Sequence, residues 1–270
     1  MFSMTRPFGF AGERKAFALL ILGFYMAFFG LISLVAYVNQ EPAWARCFLA
    51  LLLCYGTGFF ALASGWFWGR WFAVGLGYSG ISTALWGMVT MKQIEPTLLV
   101  YGLTHGVIAL FLQGEKLIAQ FDAQPGWQKR FGLDEESVYR IRKTVIKAVS
   151  SLPTMILFAL PPRGQNALMA SSSSFAWALI PCFFLGLYGI LNSRTWGVFL
   201  LLSIASAIAG LAMGSDPLWM SKNVLFGHSS SFEFLSFHGF WILPTALLVT
   251  AVIPFARPVL RYLHRLPRSA

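Results

Sequence analysis

Ser79 and His105 are the side chains in this 270-residue sequence with the best claim to chemistry. A hydroxyl becomes a nucleophile when a base takes its proton, and imidazole is the commonest such base. The two sit on successive apolar runs, Ser79 nine residues from the start of one and His105 eight from the start of the next. At about 1.5 Å per helical residue both fall near mid-membrane if the runs cross a bilayer, so a Ser–His contact is geometrically open. A nucleophile and its base also need an orienting third group, and no residue announces itself in that role. The competing reading makes Ser79 a packing residue in a Gly-rich helix. His105 is then a neutral imidazole bonded to a neighbouring helix, through Ser79 or Thr104.

The string Gly77-Tyr78-Ser79-Gly80 resembles the GxSG sequence around the serine of rhomboid-like intramembrane proteases. That resemblance implies a hydrolase with Ser79 as nucleophile and His105 as base. It covers four residues, and the paired histidines on an earlier span and the longer serine–histidine separation of that family are absent.

Other clusters are weaker. Asp216, Lys222, His228 and Glu233 share one polar segment, but their spacing matches no ligand motif, and solvated loop charges are the plainer reading. His105 and His238 fall at different depths and make a poor pair of axial haem ligands. Cys47, Cys54 and Cys182 lie in or beside apolar runs without a CxxC or Cys/His spacing, as small apolar residues do. Phosphate-cradling loops, HExxH and paired catalytic carboxylates are missing from the sequence. The expectation is no cofactor and no metal, with an enzymatic reaction left open as the less favoured reading.

The elements that must position these residues follow from composition. The chain is 57% apolar and 11% charged, against about a quarter charged in soluble proteins. Seven apolar runs are clear, at 16–38, 44–64, 70–91, 97–113, 175–191, 196–213 and 236–256, and a weaker eighth covers 146–160 around Pro153. Lipid offers no partner to backbone amides, so each run should be helical. The first run is too long for a signal-peptide core and reads as an uncleaved span.

Charge decides whether the eighth span exists. With eight crossings and both termini in the cytoplasm, lysines and arginines divide sixteen to four; without 146–160 they divide thirteen to seven. Basic residues in short loops orient a chain inward, so eight crossings are expected. The acidic residues leave the outer face neutral and put the whole net charge of +10 on the cytoplasmic face. The basic balance is therefore a topology signal that favours anionic headgroups, and nucleic acid is not expected as a partner. All ten acidic residues fall in loops, which counts against an ion-coupled transporter.

Residues 114–147 read as a cytoplasmic linker. After Asp134-Glu135-Glu136, residues Val138, Ile141, Val145, Val149 and Leu152 alternate with Arg140, Arg142, Lys143 and Lys147. This predicts an amphipathic helix at the headgroups, before the chain turns into span five. Arg70, Arg140, Arg142, Lys143, Lys147, Arg194, Arg257 and Arg261 are the expected lipid-headgroup contacts. The aromatic outer segment 214–235 should fold over the bundle or sit in the interface.

An internal repeat is suggested. Ala50 to Gly58 reads like Ala178 to Gly186, Arg70-Trp-Phe-Ala-Val74 like Arg194-Thr-Trp-Gly-Val198, and spans four and eight carry His105-Gly106 and His238-Gly239. The expected layout is an all-α integral membrane protein: a four-span unit at 1–113, the linker at 114–147, and a second unit with a basic tail at 148–270. Chance similarity between Gly-rich apolar helices is the alternative. Gly75, Gly87, Gly210 and Gly214 are the expected close-packing positions, and Ser79, Ser82, Thr83, His105, Ser203 and Ser206 the polar atoms inside the membrane.

The function expected from this pattern is an accessory or structural subunit of a bacterial inner membrane, binding other membrane proteins or lipids. The alternative is a small-molecule or lipid transporter built on the repeat, with a polar cavity lined by Ser79, Ser82, His105, Ser203 and Ser206. An intramembrane serine hydrolase comes third.

Overall fold

The computed structural model describes residues 10–91, 93–122, 124–158, 167–215 and 231–256. Every regular element among them is a helix. In chain order these are α1 (Phe10–Val38), α2 (Pro42–Ala63), α3 (Gly69–Met91), α4 (Pro96–Phe111), α5 (Glu115–Asp122), α6 (Pro125–Phe131), α7 (Glu135–Phe158), α8 (Ala167–Leu191), α9 (Thr195–Ser215) and α10 (Ser231–Val252). A 3-10 turn, Ile253–Phe255, follows α10. Among the described residues α1, α2 and α3 are long and apolar enough to cross a membrane, and α4 with α5 makes a fourth if the pair, bent by 72°, counts as one span.

The chain divides into two compact units, residues 1–132 and 133–270. In the first, α1 packs on α2, α2 on α3, α3 on α4 and α4 back on α1. In the second, α7, α8, α9 and α10 close a ring in the same order.

The first unit shows why its helices stop where they do. Pro42 and Pro96 open α2 and α4 at the position where a missing N–H costs nothing. The α1–α2 turn carries Gln40 in the left-handed region, at φ 58°. Ala18, Leu22, Tyr25 and Phe29 on α1 are buried, while Phe17, Leu20, Phe24, Phe28 and Leu31 on the opposite face stay exposed. These steps of three and four are one inward and one outward stripe of a single helix.

The small-residue seam between α3 and α4 runs along a different face from the expected one. A Cβ added to Gly77 would come within 2.9 Å of the backbone N of Ala109 and O of His105, one on Gly80 would fall into the His105 ring, and one on Gly87 would meet a Leu98 methyl at 2.7 Å. Gly77, Gly80, Ala84 and Gly87 thus face α4. Gly75 is buried, and Gly87 alone of the expected set has its close approach shown. Gly210 is a correction: it is exposed with nothing within 4 Å of an added Cβ. The surroundings of Gly214 lie outside the described residues.

The second unit corrects the expected path of the linker. The chain does not turn between an interfacial helix and span five. α7 is one helix of 24 residues that continues through Pro153. Val138, Ile141, Val145, Ala148, Val149 and Leu152 keep one unbroken buried face. Ser150, Ser151 and Thr154 donate to the carbonyls of Ile146, Ala148 and Ser151 within the same helix.

Candidate functional site

His105 lies on α4 with a fully buried side chain, and the residues around it come from three other helices. Its Nε2 is 2.6 Å from the Tyr55 hydroxyl of α2. Its Nδ1 is 2.7 Å from the backbone oxygen of Tyr101, one turn earlier. The Tyr55 and Tyr101 hydroxyls are 2.9 Å apart. A carbonyl can only accept, so Nδ1–H is the donor on that side and Nε2 of a neutral ring is the acceptor on the other. Tyr55 must then donate to Nε2, and Tyr101 donates to Tyr55. The result is a one-way ring: Tyr101 O–H to Tyr55 O, Tyr55 O–H to His105 Nε2, His105 Nδ1–H to Tyr101 C=O.

Tyr25 from α1 lies beside this ring, tilted against His105 with centroids 4.5 Å apart and edge-on to Tyr101 at 5.3 Å. Its hydroxyl reaches Thr104 Oγ1 at 2.6 Å. Thr104 spends its own proton on the carbonyls of Val100 and Tyr101, so Tyr25 is the donor. On the α3 side the imidazole lies against Gly80, the only residue type that leaves room for it. His105 is thus clamped by α1, α2 and α3 at once.

The Ser–His pair is not formed. Ser79 is fully buried, and its Oγ has no hydrogen-bond partner among the described residues. Both nitrogens of His105 are engaged elsewhere, so the serine lacks the base that would activate it. The partner of the imidazole is also neither Ser79 nor Thr104 but Tyr55. Ser82 donates to the carbonyls of Tyr78 and Ser79 on its own helix. Thr83 Oγ1 is buried without a partner among the described residues. Ser203 and Ser206 on α9 are exposed, and Ser203 donates to the Phe199 carbonyl of its own helix. Asp216, Lys222 and His228 lie outside the described residues, as do the side chains of Glu233 and His238. No group of three or more His, Cys, Asp or Glu able to hold a metal occurs among the described residues. Cys47, Cys54 and Cys182 are free thiols.

A second polar cluster closes the far end of α4. Arg70, expected at the headgroups, is instead buried at 3% exposure. Its guanidinium pairs with Asp122 of α5 at 3.3 Å and donates to the Leu112 carbonyl at 2.9 Å. Trp71 Nε1–H donates to the same carboxylate at 2.7 Å, and Gln128 of α6 holds the Asp122 backbone oxygen. Arg14 of α1 donates to the carbonyls of Leu110 and Gln113. Two arginines therefore satisfy the bare carbonyls at the end of α4, where the helix dipole is negative. Trp127 stacks on Phe67 with centroids 3.9 Å apart and ties α6 to the α2–α3 turn. Asp122 is the acidic residue that a loop assignment concealed.

Of the remaining basic residues, Arg140 pairs with Glu136 at 3.3 Å, Lys147 donates to the Thr250 carbonyl, and Arg194 is exposed. Arg257 and Arg261 lie outside the described residues. Sequence reasoning missed Tyr25, Tyr55, Tyr101 and Asp122, since nothing local to a buried tyrosine or a single aspartate names its partner.

Comparison with protein-family models, with curated proteins and with solved structures finds no match for this chain.

Proposed function

We propose that this chain is an eight-span accessory or structural subunit of a bacterial inner membrane. Both termini face the cytoplasm, and it binds other membrane proteins and lipids without reaction chemistry of its own. The observation that carries this reading is the closed ring of Tyr101, Tyr55 and His105. The strongest chemistry-bearing side chain inside the first unit is spent on holding α4 to α2, with every donor matched to an acceptor. What the unit offers outward is an apolar stripe along α1, with Phe17, Leu20, Phe24, Phe28 and Leu31 exposed, a surface for lipid or for another helix.

A two-fold repeat is part of the proposal, and a match between two hairpins supports it. In the α2–α3 turn, the N–H groups of Ser64, Gly65 and Trp66 donate to the carbonyls of Phe60, Leu62 and Ala61. In the α8–α9 turn those of Asn192, Ser193 and Arg194 donate to Tyr188, Ile190 and Gly189. Gly69 then opens α3 and Gly197 lies in the first turn of α9, each so close to the helix before that an added Cβ would strike its backbone. The α1–α2 turn shares the hydrogen bonds but not the glycine, so the glycine is the more telling part. This register sets Arg194 opposite Trp66, not opposite Arg70.

Extraction of the tagged chain in native lipid, with mass and composition measured on the particle, tests the subunit reading. The expected result is a discrete particle holding a second membrane protein in fixed ratio. A chain that emerges alone and monomeric overturns it. The second reading, a lipid or small-molecule transporter, draws on Ser79 and Thr83, whose hydroxyls are buried polar atoms of α3 without a hydrogen-bond partner among the described residues. Substrate movement in vesicles containing only this chain would favour it over the first.

A further inference from the structure

We propose that the second unit carries a hinge. Pro153, Pro181 and Pro244 stand at one level across three of its four helices, and the half of the bundle beyond them opens and closes against a half that is pinned.

Each proline lies inside its helix, on α7, α8 and α10. A proline has no N–H to give the carbonyl four residues earlier, so the helix lacks one bond and bends most easily there. The first unit is built otherwise. Within α1 to α4 the prolines are Pro42 and Pro96, at the first positions of α2 and α4.

Prolines scattered in depth would soften three helices separately, but these three are aligned. Thr144 Oγ1 donates to the Ala251 carbonyl at 2.6 Å and Lys147 to that of Thr250 at 3.2 Å, which sets α7 and α10 antiparallel and in register. Six residues on from Lys147 is Pro153, and six back from Thr250 is Pro244. α8 and α9 meet where a Cβ on Gly189 would lie 2.8 Å from the Gly197 Cα. Eight residues back from Gly189 is Pro181, and eight on from Gly197 is Ala205. Pro181 is ten residues from the last of α8, Leu191, and Pro244 eight from the last of α10, Val252. Two residues of helix are about 3 Å, less than one turn.

The same contacts pin one half. Both α7–α10 bonds and the close approach of Gly189 to Gly197 lie on one side of the proline level. Across that level α9 offers only small residues beside Ile208, namely Ala205, Ser206, Ala207, Ala209 and Gly210. α7 is buried at every position from Ala148 to Ile156, so it bends only if its neighbours bend with it. Prolines at the same level of α8 and α10 permit that. Thr245, next to Pro244, keeps its Oγ1 buried without a partner among the described residues, a donor left over for a carbonyl that bending would uncover.

The test uses the purified full-length chain in lipid nanodiscs, with pairs of spin labels on introduced keto amino acids and their distances read by pulsed dipolar spectroscopy. Ala170 and Phe234 lie eleven and ten residues beyond Pro181 and Pro244. A bend of about 20° moves a point that far by about 5 Å, so the Ala170–Phe234 distribution should be about 10 Å wide. Tyr188 and Val249, exposed on the pinned half, should give less than half that width. Pro153→Ala should narrow the Ala170–Phe234 distribution to the pinned value although neither label is on α7, and Pro244→Ala should do the same. Both variants put the best helix former inside a helix, so the fold is kept. Pro42→Ala, in the first unit, should leave the width unchanged. A wild-type distribution as narrow at the free end as at the pinned end would make the prolines fixed bends and overturn the hinge. So would a Pro153→Ala chain that keeps the wild-type width, because the three prolines would then act separately. Only the isolated chain is measured, so the hinge and the subunit reading fail independently.

Discussion

Ser193 and Gly65 hold the same left-handed backbone state, at φ 55° and φ 70°, at the same step of two helical hairpins. In both, the N–H of that residue and of the next turn back onto carbonyls of the preceding helix, the arrangement that closes a helix end. Glycine enters this region freely, whereas a side chain costs about 1–2 kcal/mol there. Ser193→Gly should therefore stabilise the second unit by about 0.5 kcal/mol once the greater freedom of unfolded glycine is deducted. Gly65→Ala should destabilise the first by about 1 kcal/mol. Reversible unfolding in mixed micelles measures both, and a loss of stability in Ser193→Gly would show that its backbone state is misassigned.

Tyr55 is the middle member of the ring and Tyr101 its first donor, so their hydroxyls are not equal. Tyr101→Phe removes one bond and leaves Tyr55 still donating to His105. A membrane hydrogen bond averages about 0.6 kcal/mol, and that is the expected loss. Tyr55→Phe removes two bonds and strands the Tyr101 hydroxyl and His105 Nε2 together in a buried site. The expected loss is about 2 kcal/mol, since unsatisfied buried groups cost more than bonds gain. Equal losses in unfolding measurements would refute the directed ring.

Gly80 and Gly106 flank the same imidazole with opposite tolerances. A Cβ at Gly80 has nowhere to go but into the ring, whereas the nearest atom to one at Gly106 is an Ile81 methyl at 3.9 Å. Gly80→Ala must push α3 from α4 or eject His105 from Tyr55, at a cost of about 3 kcal/mol, the upper end for overpacked cores. Gly106→Ala should be neutral or gain up to about 1 kcal/mol of helix propensity. Thermal stability in detergent separates the two, and the ring nitrogen signals of His105 should change in Gly80→Ala alone.

Most helix positions were legible because lipid-like apolar runs can only be helices: 44–64 became Pro42–Ala63, and 196–213 became Thr195–Ser215. Facing directions were less so. The stripe Gly75, Ser79, Thr83 and Gly87 has the right spacing for a seam, but a Gly-rich helix offers several such stripes, and the bulk of His105 selects the one through Gly80. The His–Tyr ring joins residues as much as 50 positions apart on two helices, with a third helix supplying Tyr25. Each tyrosine looks like any other apolar position until the bundle closes. The burial of Arg70 has a physical cause that its own segment does not carry. An arginine at a helix start normally reaches outward, but here α5 folds back 52 residues later and brings Asp122 beneath it.

Asp134 gives the second unit a dependence on acid. Its side chain accepts the Ser137 backbone N–H at 2.9 Å, capping the first turn of α7. Hydrogen bonds from the Ser137 hydroxyl and amide hold its carboxyl below the ordinary carboxylate range, with Arg140 adding a little. A carboxylate favoured in the fold contributes stability in full above its unfolded value, and that contribution fades as pH falls through the folded one. The start of α7 should therefore fray in acid, and Asp134→Asn, which still caps but cannot ionise, should flatten that dependence. Asp134→Ala should lose about 1 kcal/mol at neutral pH as the cap goes. Amide exchange at residues 135–138 against pH reads all three chains, and an identical acid profile in Asp134→Asn would place the titrating group elsewhere.

Asp122 carries the largest expected effect, because its loss strands a charge. Arg70 cannot be deprotonated, and its side chain is 4% exposed. Asp122→Asn keeps the shape and a hydrogen-bond acceptor for Trp71 but removes the counter-charge. Breaking a buried pair from one side typically costs about 3–5 kcal/mol. Removing both charges is milder, since the guanidinium no longer has to be desolvated alone. Arg70→Met with Asp122→Leu should therefore lose less than Asp122→Asn, though the Leu112 carbonyl and Trp71 N–H then seek new partners. The damage should be local, with Trp127 losing its stack on Phe67 and α5–α6 becoming open to protease while the His105 ring persists. Limited proteolysis near residues 113–132, run beside unfolding measurements on both variants, decides it. A double variant no more stable than Asp122→Asn would mean that the ion pair acts through its shape and hydrogen bonds, and that charge balance is not what holds α5 under α3.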